Sequence, residues 1–120
     1  MTCDQLREQI ADLTAQSDTL NQDVIDDQAE IGSDFTNAII DDNKGGTLPP
    51  GPPPTISGVQ ARITYLNTLA PVPSALISEW TNILNELETL AGVQAALTTT
   101  NAALGSMKSQ YTAQGCQPSL

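Results

Sequence analysis

Apolar residues recur with helical spacing in three stretches of the chain, separated by two proline-rich breaks. In the first stretch Leu6, Ile10, Leu13, Leu20 and Val24 step by three and four, with Ser17 occupying the one polar place in the series. The series then takes two consecutive steps of four through Gln28 before Ile31, Phe35 and Ala38, a stutter that locally unwinds a supercoil. Thr2 and Gln5 have the spacing of a capping box, and Asp4 suits a first turn, so helix 1 is predicted over about 2–41. Ser57 and Gln60 repeat that spacing ahead of Val59, Ile63 and Leu66, which predicts helix 2 over about 58–69. In the third stretch Ile83, Leu90, Leu97, Leu104 and Tyr111 recur every seven residues, flanked by Trp80, Leu87, Gln94, Asn101 and Met107. Gly115 and Pro118 stand where a helix stops, so helix 3 is predicted over about 74–112.

The breaks are equally specific. The predicted loop 42–57 contains Gly45-Gly46 and then five prolines in six positions, Pro49 to Pro54 around Gly51. Neither a helix nor a central strand survives that composition, and polyproline II is the favoured backbone. Pro71-Val72-Pro73 makes the second break, a tight turn into helix 3.

Helices 1 and 3 are predicted to be equally long, about 60 Å at 1.5 Å per residue, so a reversal between them pairs them antiparallel. Antiparallel partners have residue numbers of constant sum. Leu6 with Tyr111, Ile10 with Met107, Leu13 with Leu104, Leu20 with Leu97 and Val24 with Val93 share one sum. Ile31 with Leu87, Phe35 with Ile83 and Ala38 with Trp80 share the next, the drift falling across the stutter. Ser17 with Asn101 has the second of these sums, a polar pair inside the seam that fixes alignment at some cost in stability. A slip of seven would also match apolar residues but would break that pair. Within two residues of that register the two cysteines, Cys3 and Cys116, also fall together at the open end of the hairpin and are expected as a disulfide, with two free thiols as the alternative.

Ile25, Ile39, Ile40, Ile77 and Leu84 lie off the main seam and mark the face on which helix 2 is expected to pack. The fold expected is therefore all-α, a single domain over 1–120. It is a long, coiled-coil-like antiparallel helical hairpin, with a short further helix at the loop end after the Pro/Gly-rich extended segment. Leu97 is expected within a buried seam.

Composition narrows the chemistry. The chain has 14 Asp+Glu against 4 Lys+Arg, no His, and a net charge of −10. Residues 1–43 carry eleven acids against Arg7 alone, whereas residues 44–120 carry three charges of each sign. Without His there is no Ser-His or Cys-His nucleophile pair and few routes to a zinc site. The negative charge opposes nucleic acid and anionic membrane as partners. No apolar run reaches the length of a membrane span, and Met1-Thr2-Cys3-Asp4 has no basic or apolar leader character. Leu, Ile, Val and Phe make up only 27 of 120 residues, so the core is thin.

The candidate sites reduce on inspection. Asp41-Asp42-Asn43-Lys44-Gly45-Gly46 resembles the start of a calcium loop, but Pro52 stands where the twelfth-position acid belongs. Asp26-Asp27 and the other acids of helix 1 have almost no basic neighbours and read as a solvated face. Pro50 and Pro53 have PxxP spacing, read here as a rigid spacer within the fold. Phe35 and Trp80 take core positions. No catalytic, cofactor-binding or metal-ligating constellation emerges, and no cofactor is expected.

These features predict a non-enzymatic structural or assembly protein, a helical subunit packing against other protein subunits, its own copies or different ones. A virion component of a phage capsid, neck, tail or baseplate combines the missing leader with a disulfide formed outside the cell. The alternative is a soluble secreted adaptor that turns the acidic helix 1 toward a basic partner. A virion or extracellular location follows if Cys3 and Cys116 are bonded.

Overall fold

The reciprocal contacts of a capping box open the first helix. Thr2 Oγ1 accepts from the Gln5 backbone N–H at 3.1 Å, and Gln5 Oε1 accepts from the Thr2 N–H at 2.9 Å. The computed structural model describes residues 1–120 and contains three helices: α1 (Cys3–Asn43), α2 (Ile56–Leu66) and α3 (Ser74–Ala113). The fold is all-α, with long α1 packed against long α3 and short α2 between them.

Three helix boundaries depart from the sequence expectation by two or three residues. α2 begins two residues early because Thr55, not Ser57, caps it: the Thr55 side chain accepts from the Gly58 N–H at 3.0 Å. Extended backbone at Thr55 and its N–H bond to the Pro53 carbonyl at 2.8 Å set this start. Gly58 is required here, because a Cβ would lie 2.6 Å from Pro53 Cγ and 2.7 Å from its carbonyl oxygen. α2 also ends at Leu66 rather than Leu69. Asn67 and Thr68 turn their side chains back onto the Ile63 and Tyr65 carbonyls, competing with helix continuation just ahead of Pro71. α1 runs on through Asp42 and Asn43, two residues into the predicted loop, until Gly46 turns the chain at positive φ.

The chain forms two compact units, Met1–Ile25 with Gly92–Leu120, and Asp26–Ala91. In the first unit Leu6, Ile10, Tyr111 and Cys116 are buried together, with Cys3, Leu104 and Met107 packed on them. The end of α3 brings Cys116 there. Gly115 takes φ +67°, its N–H bonds the Thr112 carbonyl, and the Cys116 N–H bonds the Tyr111 carbonyl. That is a Schellman turn, whose apolar contact joins Cys116 to Tyr111. Cys3 and Cys116 are disulfide-bonded, with Cα atoms 5.6 Å apart. The Tyr111 hydroxyl donates to the Pro118 carbonyl at 2.7 Å, and Arg7 to the Gln117 carbonyl at 2.9 Å, tying down the residues beyond the turn.

In the second unit Ala38, Val59, Leu66, Trp80 and Ile83 form the buried core, one or more from each helix. Phe35 meets Trp80 edge-on, with centroids 5.5 Å apart, a preferred aromatic geometry. Ile39, Ile77 and Leu84 pack onto this core as the off-seam pattern requires. Ile25 and Ile40 do not: they are 59% and 55% exposed. α2 is only 11 residues long and covers one side of the unit, leaving no element to cover Ile40.

Candidate functional site

The seam residues fall into two environments. Leu6, Ile10 and Tyr111 are buried in the first core, and Leu104 packs against it. Ile31, Trp80 and Ile83 are buried in the second unit, where Phe35 and Leu87 are half-buried against the core. Leu13, Leu20, Val24, Leu90 and Leu97 are only half-buried, because two helices alone cannot enclose a side chain that a third would cover. Leu97 is thus less buried than its place in the heptad suggests. Ser17 is buried, and its hydroxyl donates to Asn101 Oδ1 at 2.7 Å.

A charged network inside the second core went unforeseen. Asp42 and Arg62 have side chains 0% and 5% exposed. Trp80 Nε1 donates to Asp42 Oδ1 at 3.1 Å. Arg62 stands 3.8 Å from Asp42 Oδ2 and donates to the carbonyl oxygens of Pro49, at 3.0 Å, and Pro50. The network therefore links α1, α2, α3 and the proline-rich segment, the Asp42 carboxylate reaching α3 and the Arg62 guanidinium the prolines. Asp42 belongs to this network, which removes it from any calcium loop; Asp41 instead pairs with Lys44 at 2.8 Å. The signal was present in the sequence. Arg62 continues the apolar face of Val59 and Leu66, and Asp42 lies one turn beyond Ala38.

The acids of α1 are not all solvated, contrary to the sequence reading. Asp27 and Asp34 are half-buried beside Glu86 of α3. Carboxylate oxygens of Glu30, Asp34 and Glu86 lie within 4.8 Å of one another. Asn82 Nδ2 donates to Glu86 Oε1 at 3.2 Å, and Glu86 Oε2 is shielded with no donor. Burial, then the adjacent Asp34 carboxyl and the negative charges around it, push the Glu86 carboxyl up to about 7. Further along the same two helices Glu79 is also raised, first by its hydrogen bond with Asp41, while the Lys44 ammonium lowers Asp41. An open cleft of about 410 Å³ lies here, lined by Asp34, Asn37, Ile40, Asp41, Glu79, Asn82 and Ile83. Its chemistry is that of clustered carboxylates and amides, suited to proton exchange and to cationic groups, with no nucleophile placed against a base.

Comparison with known protein families, curated proteins and solved structures found no match to this chain. No helix is long and apolar enough to cross a membrane.

Proposed function

We propose that this chain is a non-enzymatic assembly protein, a helical subunit that packs against other protein subunits. The observation that carries the reading is apolar surface left uncovered on long helices: Ile25 and Ile40 are more than half exposed, and the seam through Leu13, Leu20 and Leu97 is half open. A two-helix element with one narrow seam gains stability by laying that surface against a neighbour. The Cys3–Cys116 bond supports a working place in oxidising surroundings. A virion component, in a capsid, neck, tail or baseplate, meets both conditions. Light scattering on the purified chain without reductant tests the proposal. A discrete oligomer is expected, and a single 12.6 kDa species at high concentration would overturn it.

The acidic cleft favours a second reading, an adaptor for a basic partner. Asp34, Asp41 and Glu79 line it, and Lys44 is the single cation paired there. That reading requires a monomer whose binding to a lysine-rich peptide weakens steeply with salt.

A further inference from the structure

Glu86 of α3 sits among like charges with no cation to answer them. From α1, Asp27, Glu30 and Asp34 act on it, and the oxygens of Glu30 and Asp34 come within 4.8 Å. On α3 its hydrogen-bond partner is Asn82, a neutral amide that satisfies Oε1 alone. The other carboxyl of α3 paired with α1, Glu79, is engaged with Asp41. α2 has one charged residue, Arg62, which is committed to Asp42 and the Pro49 and Pro50 carbonyls. Lys44, the only other cation of the unit, pairs with Asp41. Glu86 Oε2 is shielded from solvent and lacks a donor. A proton is the one species already at hand that relieves this arrangement, since a protonated carboxyl donates to the neighbouring carboxylate.

We propose that Glu86 and Asp34 form a proton-operated clasp between α1 and α3 within the Asp26–Ala91 unit. Protonated, Glu86 shares its proton with Asp34 and holds the two helices together. Ionised, Glu86 repels Asp34, Glu30 and Asp27, and the helix pair loosens at that point. The clasp operates whichever partner the chain meets.

The working range follows from the chemistry. The Glu86 carboxyl is raised from an ordinary 4.5 to about 7, chiefly by burial and then by Asp34. Between those values the folded chain holds a proton that the unfolded chain has lost. The resulting stability is fully present below about pH 4.5 and is lost as pH rises through about 7. The clasp is therefore closed in mildly acidic surroundings and open in alkaline ones.

The test uses the full chain with its disulfide intact. Melting temperatures of wild type and Glu86→Gln are compared at about pH 5 and about pH 8, and the Glu86 carboxyl is titrated by carbon-13 NMR. The glutamine side chain keeps the shape and the donor of a protonated acid without its titration. The expected result is a melting temperature above wild type at pH 8, a gap that closes by pH 5, and a wild-type titration midpoint near 7. Asp34→Asn provides a second variant: it should move the Glu86 midpoint down toward its ordinary value. A gap independent of pH, or a wild-type midpoint at the ordinary value, would overturn the proposal.

Discussion

Trp80 donates its indole N–H to Asp42 at 3.1 Å beside the apolar core of the second unit. The bond fixes one oxygen of a fully buried carboxylate and leaves the other facing Arg62 at 3.8 Å, without a hydrogen bond of its own. Arg62 uses its donors instead on the Pro49 and Pro50 carbonyls, which a proline-rich strand cannot satisfy within itself. The network thus converts an extended segment that has no internal hydrogen bonds into a fixed part of a three-helix unit.

Asp42→Ala should accordingly cost about 3–5 kcal/mol, because it leaves a buried guanidinium without its counter-charge. The only tryptophan, Trp80, reports it directly through urea unfolding followed by fluorescence. Replacing both charges, Asp42→Leu with Arg62→Met, should recover a large part of the loss. A single change below about 1 kcal/mol would mean the pair is not closed off from water.

How much of this was legible beforehand divides along physical lines. Periodicity, the two proline breaks and the Thr2–Gln5 box are local signals, and they yield three helices with boundaries within three residues. The Cys3–Cys116 pairing followed from register, a sum over many weak matches. Thr55 as the cap depended on how Pro53 bends the chain, which spacing alone does not encode. The burial of Asp42 and Arg62, and the half-burial of Glu86, were hidden because a charge on a helix face reads as solvated until the facing helix is known. The exposure of Ile25 and Ile40 was hidden for the converse reason: an apolar side chain does not say whether anything covers it.

Reduction of the Cys3–Cys116 bond should loosen the first unit. The two cysteines are 113 residues apart, and a loop of about 100 residues corresponds to roughly 4.7 kcal/mol by the chain-entropy argument, with about 2–4 kcal/mol typical. Cys3→Ser with Cys116→Ser should lower stability by that amount. Hydrogen exchange should rise first at residues 1–25 and 92–120, where few buried side chains hold the helices. Unchanged exchange there would show that the apolar cluster alone suffices.

Two leucines of one seam should respond unequally. Leu6 is 0% exposed against Tyr111 and Cys116, so Leu6→Ala should cost about 2–5 kcal/mol. Leu97 is half-buried, with solvent beside it, so Leu97→Ala should cost about 1–2 kcal/mol in the isolated chain. Urea unfolding monitored by circular dichroism measures both. Equal costs would mean Leu97 is covered in solution, as it would be in an oligomer, and repeating the pair at high dilution separates the two explanations.

Ser17 and Asn101 offer a test of what sets the register. Their hydrogen bond, 2.7 Å long, contributes about 0.5–1.5 kcal/mol, so Ser17→Ala should be mild. Replacing both by leucine should raise the melting temperature, because an apolar pair completes the seam. The cost should appear in uniqueness. A slip of seven residues then sets apolar against apolar at both positions, and shifts one helix past the other by about 10 Å. That separates Cys3 from Cys116, which need Cα atoms no more than about 7 Å apart to bond. Chains reduced, unfolded and reoxidised together should therefore regain the intramolecular disulfide in lower yield when both positions are leucine. Equal yields would assign the register to the buried ends of the seam, at Leu6 and Tyr111 in one unit and Ala38 and Trp80 in the other, rather than to the polar pair.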